Sequence, residues 1–216
     1  MPASPEATGR VVVIGCGAIA RELLALTHDV PGVVVQGVDA QLHMRPERIA
    51  AAVETRIDEA RARYGAKVPI FVAYADCGTA GTLDALLERE GIERIPGAHC
   101  YEFYAGARAF EALQDEEVGT FYLTDFLARQ FDTIIYRGLG LDRHPELLPD
   151  YFGSYRRLVY LAQTDDPALT AKARAAADRL GLAFERRMTG LGELAPVIAA
   201  AVAPAGGGPR AMGIPA

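Results

Sequence analysis

Three cysteines, Cys16, Cys77 and Cys100, and two histidines, His43 and His99, are the residues of this sequence whose types and spacing could do chemistry. Each cysteine lies in a short turn after an apolar, strand-like run: Ile-Gly-Cys-Gly, Ala-Asp-Cys-Gly and Ala-His-Cys. His43 follows another such run. Three thiolates and one imidazole complete a tetrahedral zinc site. Three thiolates alone hold an iron–sulfur cluster with one iron open to substrate. Zinc is the first expectation, because His43 or His99 offers a fourth ligand. There is no Cys-x-x-Cys, so neither the zinc-ribbon nor the ferredoxin spacing is present. The alternative is three unrelated buried thiols, since free cysteine packs well in cores. An odd number of cysteines without an export signal argues against a disulfide framework.

The first of these turns supports a competing chemistry. Gly15-Cys16-Gly17-Ala18-Ile19-Ala20 matches the pattern G-x-G-x-x-A between a strand and a helix, and Asp39 ends the next strand. That is the dinucleotide fingerprint: Gly15 makes the turn, Gly17 admits the pyrophosphate and Asp39 binds the ribose of an NAD(P) or flavin cofactor. A glycine-rich turn that only lets a strand and helix pack closely reads the same way, and the fingerprint leaves Cys77 and Cys100 without a role.

The elements that must position these residues alternate between strand and helix. VVVIG (11–15), VVVQGVD (33–39), PIFVAYA (69–75), IERIP (92–96), GTFYLT (119–124), RLVYLAQ (157–163) and AFERRM (183–188) read as strands. The continuous β-branched run at 11–15 marks a strand buried on both faces. Helices are expected over 18–26, 46–64, 82–90, 101–114, 125–139, 167–180 and 191–201, with a turn-rich segment at 141–155. In the second of them, Ile49, Val53, Ile57, Ala60 and Tyr64 share one face, Pro46 opens the helix and Gly65 stops it. Alternation of this kind predicts a single α/β domain over residues 10–201, a mostly parallel, Rossmann-like sheet with helices on both faces. Ligands then bind at the carboxyl ends of the strands. The cysteine turns fall on that edge, each expected just before a helix, where free N–H groups favour a thiolate.

Other polar residues rank lower. Glu102, just after Cys100, is a candidate acid or base, or a partner for its own helix terminus. Thr124-Asp125 reads first as a helix cap, with Asp125 a candidate catalytic or supporting residue on the ligand edge. His28 and His144 sit in turn-rich, polar surroundings and read as surface residues.

Composition bounds the possibilities. Half of the 216 residues are hydrophobic and 23% are charged, an ordinary globular balance. A net charge of −6 argues against a nucleic-acid partner, which needs a basic face. No apolar run reaches the roughly 18 residues of a membrane span, and the first residues have no signal-like apolar core. The expectation is a cytoplasmic protein with disordered tails at 1–9 and 202–216.

Taken in order, the turns resemble a family of bacterial and archaeal proteins, the domain of unknown function numbered 1638. Ile14-Gly15-Cys16-Gly17 is similar to its first strand and cysteine turn. Leu42-His43-Met44-Arg45-Pro46 is similar to its Leu-His-x-x-Pro segment. Tyr74-Ala75-Asp76-Cys77-Gly78 is similar to its Tyr-Gly-x-Cys-Gly turn. Ile95-Pro96-Gly97-Ala98-His99-Cys100 is similar to its Pro-Arg-Ala-His-Asp-Cys segment, and residues 119–124 to its Gly-Thr-aromatic-aromatic-x-Thr strand. Gly97 stands where the family has a basic residue, and Cys100 follows His99 directly instead of lying beyond an intervening residue, which leaves open which of the two faces the site.

The resemblance implies a role near corrinoid-dependent methyl transfer, with a small-molecule substrate and a corrinoid protein or methyltransferase as partner. The expectations are therefore three. The first is a metal- or cluster-dependent enzyme or accessory factor in one-carbon transfer. The second is a nicotinamide- or flavin-linked oxidoreductase. The third is a non-catalytic protein that binds a small ligand or a partner.

Overall fold

A computed structural model describes residues 9–205. Most of both expected tails lies outside the described residues. The described residues divide into two compact units, residues 9–99 with 194–205, and residues 100–193.

The first unit is built on a four-stranded sheet of order β2-β1-β3-β4. Its strands are β1 (Val11–Cys16), β2 (Val33–Val38), β3 (Ile70–Ala73) and β4 (Glu93–Arg94). All pairs are parallel. β1 is central: Val12, Val13 and Ile14 are wholly buried, as a β-branched run covered on both faces must be. The helices are α1 (Ala20–Thr27), α2 (Ile49–Tyr64), α3 (Thr82–Glu90) and α9 (Leu194–Val202). α2 buries Ile49, Val53, Ile57 and Ala60, the expected face, and ends at Gly65, whose φ of +101° no side-chain-bearing residue adopts readily. These residues join Ile14, Val72, Tyr74 and Leu83 in one core.

The second unit holds a three-stranded parallel sheet, β5 (Thr120–Leu123), β6 (Arg157–Ala162) and β7 (Ala183–Met188), in that order. β6 is central, and Leu158 through Ala162 are wholly buried. Its helices are α4 (Cys100–Ala105), α5 (Ala107–Glu116), α6 (Asp125–Gln130), α7 (Leu148–Phe152) and α8 (Pro167–Leu180). α8 carries its signals in sequence: Asp166 accepts from the Ala168 and Leu169 amides, Pro167 opens the helix, and Gly181 closes it in the left-handed region.

The α/β class with parallel strands is as the alternation predicts. The strands fall into two sheets because β4 pairs over Glu93 and Arg94 alone, and β5 pairs with β6. The helix expected over 101–114 is two, broken at Gly106, which has φ +83°. The helix expected from 125 passes after Gln130 into a π-helix, Phe131–Tyr136.

Candidate functional site

The carboxyl edge of the first sheet gathers chemistry-bearing side chains. Cys16 ends β1 in extended backbone, and its Sγ accepts the Ala18 amide at 3.4 Å, capping a short 3-10 turn. The residue is half-buried, but its sulfur turns inward against the first core. Burial raises the thiol's pKa, opposed by hydrogen bonds from Tyr74 and Ala18 and reinforced by Asp39. Cys16 is therefore a neutral thiol at neutral pH, with two donors already aimed at the sulfur.

Tyr74 follows β3 and is buried. Its hydroxyl acts on the Cys16 thiol as a neighbouring donor. Burial first, then the neighbouring Cys16, Cys77 and Asp39, push its pKa far above the usual phenol range. The phenol is thus a fixed donor, and its hydroxyl lies within the electrostatic reach of both thiols. Sequence inspection misses this residue, because Tyr74 sits inside an apolar run that reads as core.

Cys77 occupies the turn from Asp76 to Gly81. Its φ is +51° and that of Ala80 is +52°, a left-handed conformation that costs L-residues energy. The Asp76 carboxylate holds the turn in place, accepting from Thr79 Oγ1 at 2.6 Å and from the Gly78 and Gly81 amides at 3.2 Å. Those bonds, the Thr79 one foremost, lower the Asp76 pKa. An Asp-x-Gly-Thr sequence is the available signal for such a turn. As expected, Cys77 lies in a turn and α3 begins at Thr82, so the helix cap is Gly81 and not the cysteine.

The same turn pins the segment that carries His99. The Asp76 amide donates to Gly97 O at 3.1 Å and the Cys77 amide to Ala98 O at 2.8 Å. Arg94 adds a bond from Nη1 to Gly97 O at 3.3 Å while its guanidinium grips Asp84 at 2.5 and 2.9 Å. His43 lies beyond β2. Although its ring remains open to solvent, crowding by protein lowers its pKa, and the neighbouring His99 lowers it further. His43 is neutral at pH 7, the form that ligates metals.

The fingerprint residues are accounted for by packing. A Cβ on Gly15 would meet Leu23 Cδ1 at 2.2 Å, so this glycine lets α1 lie close on β1. A Cβ on Gly17 would meet Val38 O at 3.0 Å and Ala40 N at 3.1 Å: the close approach is to the chain's own backbone. The Asp39 carboxylate accepts the Gln41 amide at 2.9 Å and caps a 3-10 turn.

The remaining candidates belong to the second unit. Cys100 opens α4 and is half-buried, and Glu102 lies in the first turn of that helix. Asp125 is wholly buried. Its Oδ1 accepts from Tyr160 Oη at 2.6 Å and the Gln163 amide at 3.0 Å, and its Oδ2 accepts from Thr164 Oγ1 at 2.6 Å. Thr124, not Asp125, makes the cap, accepting from the Leu127 amide. His28 and His144 are exposed, paired with Asp29 and Glu146.

The donor set of the first unit, two thiols and two imidazoles on one edge, suits zinc or another soft metal in kind. Among the described residues no group of three or more His, Cys, Asp or Glu is drawn together closely enough to hold a metal ion.

Parallel strands with cysteine and histidine residues beyond their carboxyl ends define an α/β protein of Rossmann-like build. The chain belongs to the family described as protein of unknown function DUF1638, whose model matches residues 38–198. No curated protein and no solved structure matches it. Among the described residues no helix is long and apolar enough to cross a membrane.

Proposed function

We propose that this chain binds a metal through cysteine thiolates and serves one-carbon methyl transfer, as an enzyme or as an accessory to a corrinoid-dependent methyltransferase. The metal is supported by the placing of Cys16 and Cys77 beyond the carboxyl ends of the neighbouring parallel strands β1 and β3, with His43 and His99 on the same edge. Zinc comes before an iron–sulfur cluster. Two thiols with two imidazoles make a tetrahedral donor set for zinc, whereas a cluster takes three or four thiolates. The methyl-transfer half rests on the family resemblance.

With one of the two imidazoles left off the metal, a bound zinc would keep an open position and would hold and polarise a substrate thiol or oxygen there. The chain's own residues prepare for that. Were zinc bound, Cys16 would ligate it as a thiolate, and the Ala18 amide and the nearby Tyr74 hydroxyl would stabilise the charge on the sulfur. His43 offers a neutral lone pair without a proton to displace. The Asp76 turn fixes Cys77 and the backbone before His99 as one piece.

Anaerobic purification with metal analysis and a visible spectrum tests the reading. About one zinc per chain is expected, lost in Cys16→Ser and in Cys77→Ser. Loss in one variant with full retention in the other contradicts a shared site. A colourless, metal-free chain that also fails to take up added zinc contradicts the metal.

A further inference from the structure

A cavity of about 210 Å3 opens in the second unit between α8 and the segment running from α6 into the π-helix. Its α8 wall is formed by Lys172, Ala175, Ala176 and Arg179. That spacing, three, four and seven residues from the first, places all four on one helix face. The two alanines leave a floor, and the two long cations rise on either side. Arg129 of α6 and Asp132 of the π-helix complete the polar lining.

The two arginines are held from behind. Arg129 Nη2 lies 3.5 Å from Oδ2 of the wholly buried Asp125. Arg179 Nη1 donates to Asp132 Oδ1 at 2.6 Å, and its guanidinium carbon lies 3.4 Å from the centre of the Tyr136 ring. Neither side chain needs to be ordered on binding, which removes much of the entropic cost of capturing a ligand. Lys172 has no acidic partner among the described residues. It is one of only two lysines in the sequence. Three cations against the carboxylates of Asp125 and Asp132 leave the pocket with spare positive charge, on a chain whose net charge is −6.

We propose that this pocket binds a phosphate group. Guanidinium forks match the oxygens of a tetrahedral oxyanion, and the free ammonium supplies the charge that they have already shared. The volume sets the size of the ligand. It falls below the roughly 300 Å3 at which pockets for drug-sized molecules begin, and water occupies about 30 Å3 in the liquid. The space seats a phosphate group with a few waters, and the rest of any larger ligand would lie outside it. A π-helical turn forms part of one wall, a distortion that recurs at functional sites and widens the backbone there. The site is independent of the metal reading.

Calorimetric titration of the full chain with inorganic phosphate, at ionic strength held constant with chloride, tests the proposal. Saturable binding is expected, weakened about tenfold or more in Lys172→Gln, the loss typical of one charge-assisted hydrogen bond. Lys172 is exposed and unpaired, so the variant folds. Lys67→Gln, at the other lysine, leaves the affinity unchanged. No saturation up to roughly 10 mM phosphate, or equal weakening by the two lysine variants, overturns the proposal.

Discussion

The Cys77 amide donates to the Ala98 carbonyl at 2.8 Å, so the thiol of Cys77 and the imidazole of His99 spring from adjoining backbone. Two distant parts of the sequence are thereby tied into one ledge at the carboxyl edge of a parallel sheet. The tie depends on Asp76, whose carboxylate holds the strained turn in which Cys77 sits.

Asp76→Ala should release that turn. Thr79 Oγ1 and the Gly78 and Gly81 amides all lose their acceptor. They lie near solvent, so water replaces part of the loss, and the expected cost is about 1–2 kcal/mol of stability. Denaturant unfolding measures it. Metal retention should fall in the same variant, because Cys77 no longer stays in the left-handed conformation.

Asp125→Ala should cost more, about 3–5 kcal/mol, although it touches none of the thiols. Its carboxylate is wholly buried and accepts from Tyr160, Gln163 and Thr164. Removal strands buried donors and leaves Arg129 without its counter-charge. Urea unfolding of the variant reads this out. A cost under about 1 kcal/mol, the median for exposed ion pairs, contradicts the network.

Gly15→Ala should destabilise by about 1–3 kcal/mol through overpacking against Leu23. Leu23 is wholly buried and cannot swing into solvent. The additional change Leu23→Val should recover part of the loss, since it removes the atom the new methyl would strike. Thermal unfolding of the single and double variants checks the coupling.

The metal-free chain should be most stable between about pH 6.5 and 8.5. His43 has a lowered pKa in the fold, from crowding and then His99, so the unfolded chain takes up its proton first as pH falls below about 6.5. Asp76 and Asp84 are held below the usual carboxylate range, by Thr79 and by Arg94 respectively. Their contribution is complete above about pH 4 and is lost as pH falls through their folded values. Cys16 and Tyr74 have raised values, burial being the first cause of each. Their contribution is complete below the unfolded values, about 8.5 and 10, and is lost as pH rises. Asp84→Asn should flatten the acid limb without moving the alkaline one, measured by unfolding free energy against pH.

Much of the scaffold was legible. The β-branched run of β1 and the apolar face of α2 are local patterns, and both stand where periodicity puts them. The placing of Cys16 and Cys77 at strand ends was legible for the same reason. Tyr74 was not, because a tyrosine inside an apolar run gives no sign that its hydroxyl has found a sulfur. The turn over 76–81 and the helix start at Thr82 were legible too, but the glycines do not show that Asp76 will close on its own backbone. The break into two sheets was hidden as well. It depends on how few residues of β4 find a partner, and pairing register is not written in any local pattern. Gly17 matched a cofactor fingerprint, and only the nearby Val38 and Ala40 backbone shows why a glycine is needed there.

X-ray absorption at the metal edge of the zinc-loaded chain tests the central claim most directly. Cys16 and Cys77 as ligands predict sulfur scatterers at about 2.3 Å, with imidazole nitrogens at about 2.0–2.1 Å. A shell of nitrogen and oxygen alone, unchanged when either cysteine is replaced, would contradict it.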